Sequence, residues 1–177
     1  QKIGSKISEC REAKKRTPFI LKLKYKIAYK LIFQKLMDKL GGRVRWMTAS
    51  GAPTAVEIIR FFNAAGIMVI QGYGMTECTG PATMQNLDNY RIGTAGHPIP
   101  GMEIEIADDG EILLKGENIF HGYWKMEEET KESFTADGYL KSGDIGMFDE
   151  DGFLLITDRK KDLIITSGGK NVAPQKI

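Results

Sequence analysis

Cysteine is scarce: Cys10 and Cys78 are the only two among 177 residues, and their separation fits no metal-ligand spacing. A disulfide-stapled scaffold is excluded, and free thiols in an intracellular, cytoplasmic protein are the simplest account. No apolar run approaches the roughly 18 residues that a membrane span needs. No signal-peptide pattern, internal repeat or low-complexity tract is present. Two nucleotide-binding signatures are missing as well. The dinucleotide fingerprint requires Gly where Glu77 stands. Around Gly169-Lys170 a P-loop would need Gly five positions earlier, where Ile164 sits, and Ser or Thr where Asn171 sits.

What remains has the composition of an ordinary globular chain, 42% apolar and 27% charged. The length suits one domain or a piece of a larger one. The chain begins at Gln1 rather than Met and stops at Ile177 shortly after Pro174, so it reads as an internal fragment. A net charge of +2 hides a split: residues 1–45 hold 14 Lys/Arg against Glu9, Glu12 and Asp38, and the rest is acidic. From Phe19 to Leu40, Leu21, Tyr25, Ala28, Ile32, Leu36 and Leu40 recur at helical spacing, with Lys22, Lys26, Lys30, Lys35 and Lys39 on the other face. Pro18 suits the start of this helix and Gly41-Gly42 its stop. Such a basic amphipathic helix fits peripheral contact with a membrane surface or one side of a protein core. Nucleic acid is not expected as a partner.

Val44–Thr48 predicts a strand, followed by the small-residue loop Ala49–Pro53 and a helix from Thr54. Thr54 and Glu57 have capping-box spacing there, and Gly66 ends the helix. A second strand is predicted at Ile67–Ile70. It runs into Gln71-Gly72-Tyr73-Gly74-Met75-Thr76-Glu77, read as a loop whose glycines admit close approach of a ligand. An aromatic ring, a hydroxyl and a carboxylate within five residues are what a nucleoside triphosphate with Mg²⁺ requires. Strand–helix–strand order makes the strands parallel, and both loops should border one crevice at their carboxyl ends. After about residue 90 short β-type runs separated by turn signals predict an antiparallel, barrel-like section: 103–106, 111–114, 153–156 and 163–165.

Seven motifs in one order resemble the AMP-forming acyl-CoA synthetases of the adenylate-forming superfamily. They are Ser50–Pro53, Gly72–Glu77, Gly93–Pro98, Gly110–Ile112, Gly122–Trp124, Ser142–Asp144 and Asp158–Asp162. The basic helix and Gly41-Gly42-Arg43 look most like the long-chain fatty-acyl branch. The resemblance implies part of an α/β subdomain over 1–89, a β-barrel-like subdomain over 90–158, and a hinge with the start of a C-terminal domain over 159–177. It implies activation of a fatty acid by ATP to acyl-AMP and transfer to CoA. The backbone of Gly51, Ala52 and Pro53, with Gly72, Gly74 and the ring of Tyr73, would hold adenine. Thr76 would bond the α-phosphate, Glu77 would bind Mg²⁺, Asp144 the ribose hydroxyls and Arg159 the ribose or phosphate, with Lys161 near the pivot. The family's Gly-rich phosphate loop and its C-terminal lysine are absent from the chain, so it should not catalyse alone. Other acid-activating branches, with short-chain, aryl or amino-acid substrates, remain open, as does a non-catalytic basic surface-binding module.

Overall fold

A computed structural model describes residues 2–13, 15–160, 164–165 and 171–172. The chain divides into two compact units, residues 1–71 with 85–93 and residues 72–84 with 94–177. In the first, α1 (Lys2–Glu12) packs on α2 (Phe19–Ala28) and on α4 (Val56–Ala64). The predicted 19–40 helix is present but not regular. A π-helical turn over Tyr29–Phe33 joins α2 to α3 (Gln34–Lys39). That turn takes up extra residue length and rotates the stripe, so Phe33 is buried while Ile32 is 58% exposed. Phe33 packs with Ala64 and Ala65 beneath Tyr25, Tyr29 and Leu36. The helix ends as expected at Gly41-Gly42, where the Gly42 amide donates to the Met37 carbonyl at 2.8 Å.

β1 (Trp46–Ala49) pairs in parallel with the first half of β2 (Met68–Met75), Trp46 opposite Met68 and Ala49 opposite Gln71. The α4 crossover between them accounts for the parallel sense. The expected capping box is not formed. The N-cap is Ala55, one residue past Thr54, and no side chain caps the helix. Gly66 does terminate it, its amide donating to the Asn63 carbonyl at 3.0 Å.

In the second unit, β2 continues as a strand through residues expected to be a loop. Its second half pairs antiparallel with β3 (Gly80–Met84), and only Thr76–Cys78 forms the intervening 3₁₀ turn. The glycines serve this pairing. A Cβ on Gly74 would stand 2.1 Å from the Gly80 carbonyl oxygen, so only glycine lets the strands close here. β4 (His97–Pro98) pairs with β3, and an antiparallel sheet runs β5 (Met102–Ile106), β6 (Glu111–Gly116), β7 (Leu140–Phe148), β8 (Leu154–Arg159). α5 (Glu127–Glu132) lies in the connection from β6 to β7. The fold is therefore a parallel pair with helices followed by an antiparallel half-barrel sheet, as the sequence predicts. Register shifts interrupt the ladders at Tyr73/Gly74, between Glu111 and Leu113, and at Ile145/Gly146. The core of this unit joins Tyr73, Cys78 and Ala82 to Met102, Ile112, Leu114, Leu140 and Leu154. β9 (Ile164–Ile165) and β10 (Asn171–Val172) pair antiparallel. Lys161 lies outside the described residues.

Candidate functional site

Three of the predicted residues meet directly in the second unit. The Tyr73 hydroxyl donates to Asp144 Oδ2 at 2.7 Å, and Arg159 Nε donates to Asp144 Oδ1 at 3.3 Å. The sheet register makes the second contact, because Asp144 on β7 stands opposite Arg159 on β8. Asp144 and Tyr73 are both buried, whereas the Arg159 side chain is 73% exposed. A carboxylate so enclosed is kept only where donors compensate its lost hydration. Burial first, and then the hydrogen bond to Asp144, push the Tyr73 phenol far above its ordinary range, so it keeps the proton it donates. An ionised carboxylate offers about four acceptor positions. Two are used here, and acceptor capacity remains on each oxygen.

Thr76 is exposed and Glu77 half-buried on the 3₁₀ turn between β2 and β3. The Tyr123 hydroxyl donates to Glu77 Oε1 at 2.8 Å. That hydrogen bond is the main reason the Tyr123 phenol is raised above its usual value. The turn is fixed from the same connection: the Phe120 amide donates to the Glu77 carbonyl at 2.7 Å, and Asn118 Nδ2 donates to the Cys78 carbonyl at 2.9 Å. The sequence marks Tyr123 as part of a motif but gives it no role, since its partner lies 46 positions away. Cys78 is fully buried and accepts from the Met75 amide through Sγ. Burial raises its thiol pKa, which suits a packing role rather than a nucleophile. His97 likewise packs its ring on Phe153 at 4.1 Å between centroids.

Gly51, Ala52 and Pro53 form an exposed loop after β1 in the first unit. Gly72 and Gly74 flank Tyr73 within β2. Among the described residues no three His, Cys, Asp or Glu gather as a metal cage. Mg²⁺ does not require one, since it is commonly held by one or two carboxylates together with substrate phosphates and water. Glu77, with one oxygen taken by Tyr123 and a hard second oxygen, fits that use.

Residues 10–124 match the family described as AMP-binding enzyme. The long-chain-fatty-acid–CoA ligase FadD15 of Mycobacterium bovis is 45% identical over 155 residues, covering 88% of this chain and 26% of that protein. The long-chain-fatty-acid–CoA ligase ACSBG2 of Xenopus laevis is 42% identical over 158 residues, covering 86% of this chain and 21% of that one. The chain thus spans roughly a quarter of the length of these curated relatives. Among solved structures, apo MatB from Rhodopseudomonas palustris matches with a TM-score of 0.69 at 35% identity, over 84% of this chain and 32% of that one. O-succinylbenzoate coenzyme A synthetase (MenE) from Bacillus subtilis, solved in complex with ATP and magnesium ion, matches with a TM-score of 0.67 at 32% identity, over 81% and 34%. The family match covers more than half of the residues, and the fold agrees with these structures; the chain belongs to the AMP-binding enzyme family.

Proposed function

We propose that this chain is the nucleotide-handling stretch of an AMP-forming long-chain fatty acid–CoA ligase. In that reaction a carboxylate attacks the α-phosphate of ATP, releasing pyrophosphate and forming acyl-AMP. The CoA thiol then takes the acyl group and AMP leaves. The observation that carries the reading is the Tyr73–Asp144–Arg159 set, found in a chain 45% identical over 155 residues to a long-chain ligase. MatB and MenE stand at 35% and 32%, which favours the long-chain branch over other acid-activating ones.

Within this reading Asp144 accepts the ribose hydroxyls with the capacity left on its two oxygens. Arg159 holds one oxygen through Nε and keeps its terminal nitrogens for ribose or phosphate. The exposed Thr76 hydroxyl bonds the α-phosphate. Glu77 is the Mg²⁺ ligand, and the bound metal would supply charge neutralisation on the phosphates. Tyr73 serves twice: its hydroxyl orients Asp144, and its ring, bordered by Gly72 and Gly74, meets adenine. Adenine-side roles for Gly51, Ala52 and Pro53, the division at residues 89 and 158, and Lys161 as pivot rest on the resemblance in sequence.

Peripheral membrane contact belongs to the same proposal and has its own observation. Phe19, Leu23, Ile27 and Leu31 form an exposed i, i+4 stripe, joined by Ile20 and Ile32. Lys22, Lys24, Lys26 and Lys30 are exposed beside it. An apolar stripe flanked by lysines suits an anionic lipid surface. No described helix is long and apolar enough to cross a membrane. Salt-dependent co-sedimentation with anionic vesicles, lost in Leu23→Ser/Ile27→Ser, is the expected result.

Acid-dependent exchange of pyrophosphate into ATP by the intact protein tests the catalytic reading. Exchange with long-chain fatty acids is expected. Exchange only with aryl, short-chain or amino acids would reassign the branch. No exchange with any carboxylic acid would remove the ligase assignment.

A further inference from the structure

Glu111 is one of the few buried charged residues described, and the nucleotide reading gives it no work. It opens β6 directly after the turn Asp108–Gly110 and faces Ile145 of β7 where the ladder slips register. Its two oxygens have different partners. Oε1 accepts the Gly143 amide at 2.9 Å, and Oε2 accepts Lys160 Nζ at 2.6 Å. Lys160 also reaches Asp109 Oδ2 at 2.6 Å. Gly143 lies between Ser142 and Asp144 and has φ +73, one of several conformations open to glycine, so its amide contact helps select it. From the other side the Asp144 amide donates to Ser142 Oγ at 3.1 Å. One carboxylate therefore joins the residue just before Asp144 to the residue just after Arg159.

We infer that Glu111 and Lys160 form an ion-pair latch that positions Asp144 for nucleotide. The inference rests on the ligase reading above. Glu111 is a positioning residue, acting through the Gly143 amide and touching no substrate itself. Its carboxylate is 8% exposed, whereas the Lys160 side chain is 44% exposed, so lysine can leave toward water and glutamate cannot follow without losing Gly143. A buried carboxylate stripped of its cation is destabilised where it lies and turns toward solvent. Gly143 then loses its acceptor, and the Asp144 carboxylate loses the backbone orientation that aims it. Movement of Lys160 is thereby transmitted to the nucleotide-facing strand. The ordinary alternative, a surface ion pair with no influence on ligand, makes a different prediction.

The test is direct titration of ATP into the intact protein carrying Lys160→Met, Lys160→Arg, Glu111→Gln and the Glu111→Gln/Lys160→Met pair, each checked for folding by circular dichroism. Lys160→Met should weaken ATP binding about fivefold to tenfold, the scale of coupling between residues in one network. Lys160→Arg should restore affinity by restoring the pair. Glu111→Gln keeps an acceptor for the Gly143 amide without a charge that needs lysine. The double variant should therefore bind ATP more tightly than Lys160→Met alone, while fatty-acid affinity stays constant throughout. Wild-type affinity in Lys160→Met overturns the latch. So does a double variant no better than Lys160→Met, which would mean that lysine touches nucleotide directly. A wild-type protein that binds no ATP overturns the ligase reading instead.

Discussion

Replacing Asp144 tests the proposed nucleotide site most sharply, because the structure fixes what its carboxylate has left to give. Oδ2 already accepts from Tyr73 at 2.7 Å and Oδ1 from Arg159 at 3.3 Å. Of about four acceptor positions on an ionised carboxylate, two remain, which matches two ribose hydroxyls. Hydrogen bonds to a charged group contribute about 1.5–3 kcal/mol each. Two of them lost at the low end come to about 3 kcal/mol, or on the order of 150-fold in affinity. Asp144→Ala should therefore weaken ATP and AMP alike, since both carry the same ribose, and leave the fatty acid unaffected. Isothermal titration of the intact protein with each ligand measures this. Tyr73→Phe is the internal control: it removes one donor to Asp144 but leaves the carboxylate and the ring in place. Its effect on ATP should be several-fold rather than a hundredfold. ATP affinity within a factor of about two of wild type for folded Asp144→Ala would refute the ribose role, since even one charged hydrogen bond exceeds that.

Three further outcomes are expected. Glu77→Ala in the intact protein should lower acyl-adenylate formation by orders of magnitude, because it removes the hard oxygen assigned to Mg²⁺; near wild-type pyrophosphate release would remove Glu77 from the metal site. The 177-residue chain by itself should form no acyl-CoA, since it lacks the family's phosphate loop and C-terminal lysine; thioester synthesis in a direct assay would show the chemistry lies elsewhere. Lys161→Pro fixes φ near roughly −65° and restricts Lys160 as well, so adenylation and CoA transfer should be lost unequally, and equal loss of both half-reactions would argue against a pivot.

The elements that periodicity and turn chemistry mark were legible: the long basic helix, the parallel pair with its crossover, and β5, β6 and β8. Those that carry glycine or proline where a strand should be apolar were not. β3 starts Gly80-Pro81, which reads as a breaker, yet Ala82 and Thr83 are fully buried. β7 contains Ser142, Gly143, Asp144 and Gly146, so its polar stretch reads as a turn. α1 is not legible because Gly4 and Ser8 interrupt its stripe, although both are buried. The candidate site was legible as a list of residues and not as an arrangement. Tyr73 and Asp144 lie 71 positions apart, and no local pattern signals that one donates to the other. Glu77 and Tyr123 likewise meet only because the chain from Asn118 to Tyr123 is tied to the 3₁₀ turn.

The glycines around Tyr73 change meaning once the strands are seen. Read from sequence, they make room for a ligand; in the fold, Gly74 makes room for β3. The two uses are compatible because Tyr73, Asp144 and Glu111 each stand beside a break in a ladder. Tyr73 adjoins the shift at Tyr73/Gly74, Asp144 precedes the one at Ile145/Gly146, and Glu111 opens the one before Leu113. A regular strand would send alternate side chains to opposite faces and fix them there. A bulge adds a residue, bends the strand and re-aims one side chain without unravelling the sheet. Beside these irregularities a buried tyrosine from one sheet and a buried aspartate from another meet at hydrogen-bond distance. The half-barrel is thus not a neutral support for the motifs. Its irregularities lie beside the side chains assigned to nucleotide, and Gly74 and Gly146 let the paired strands close there where a Cβ would meet a carbonyl oxygen of the neighbouring strand.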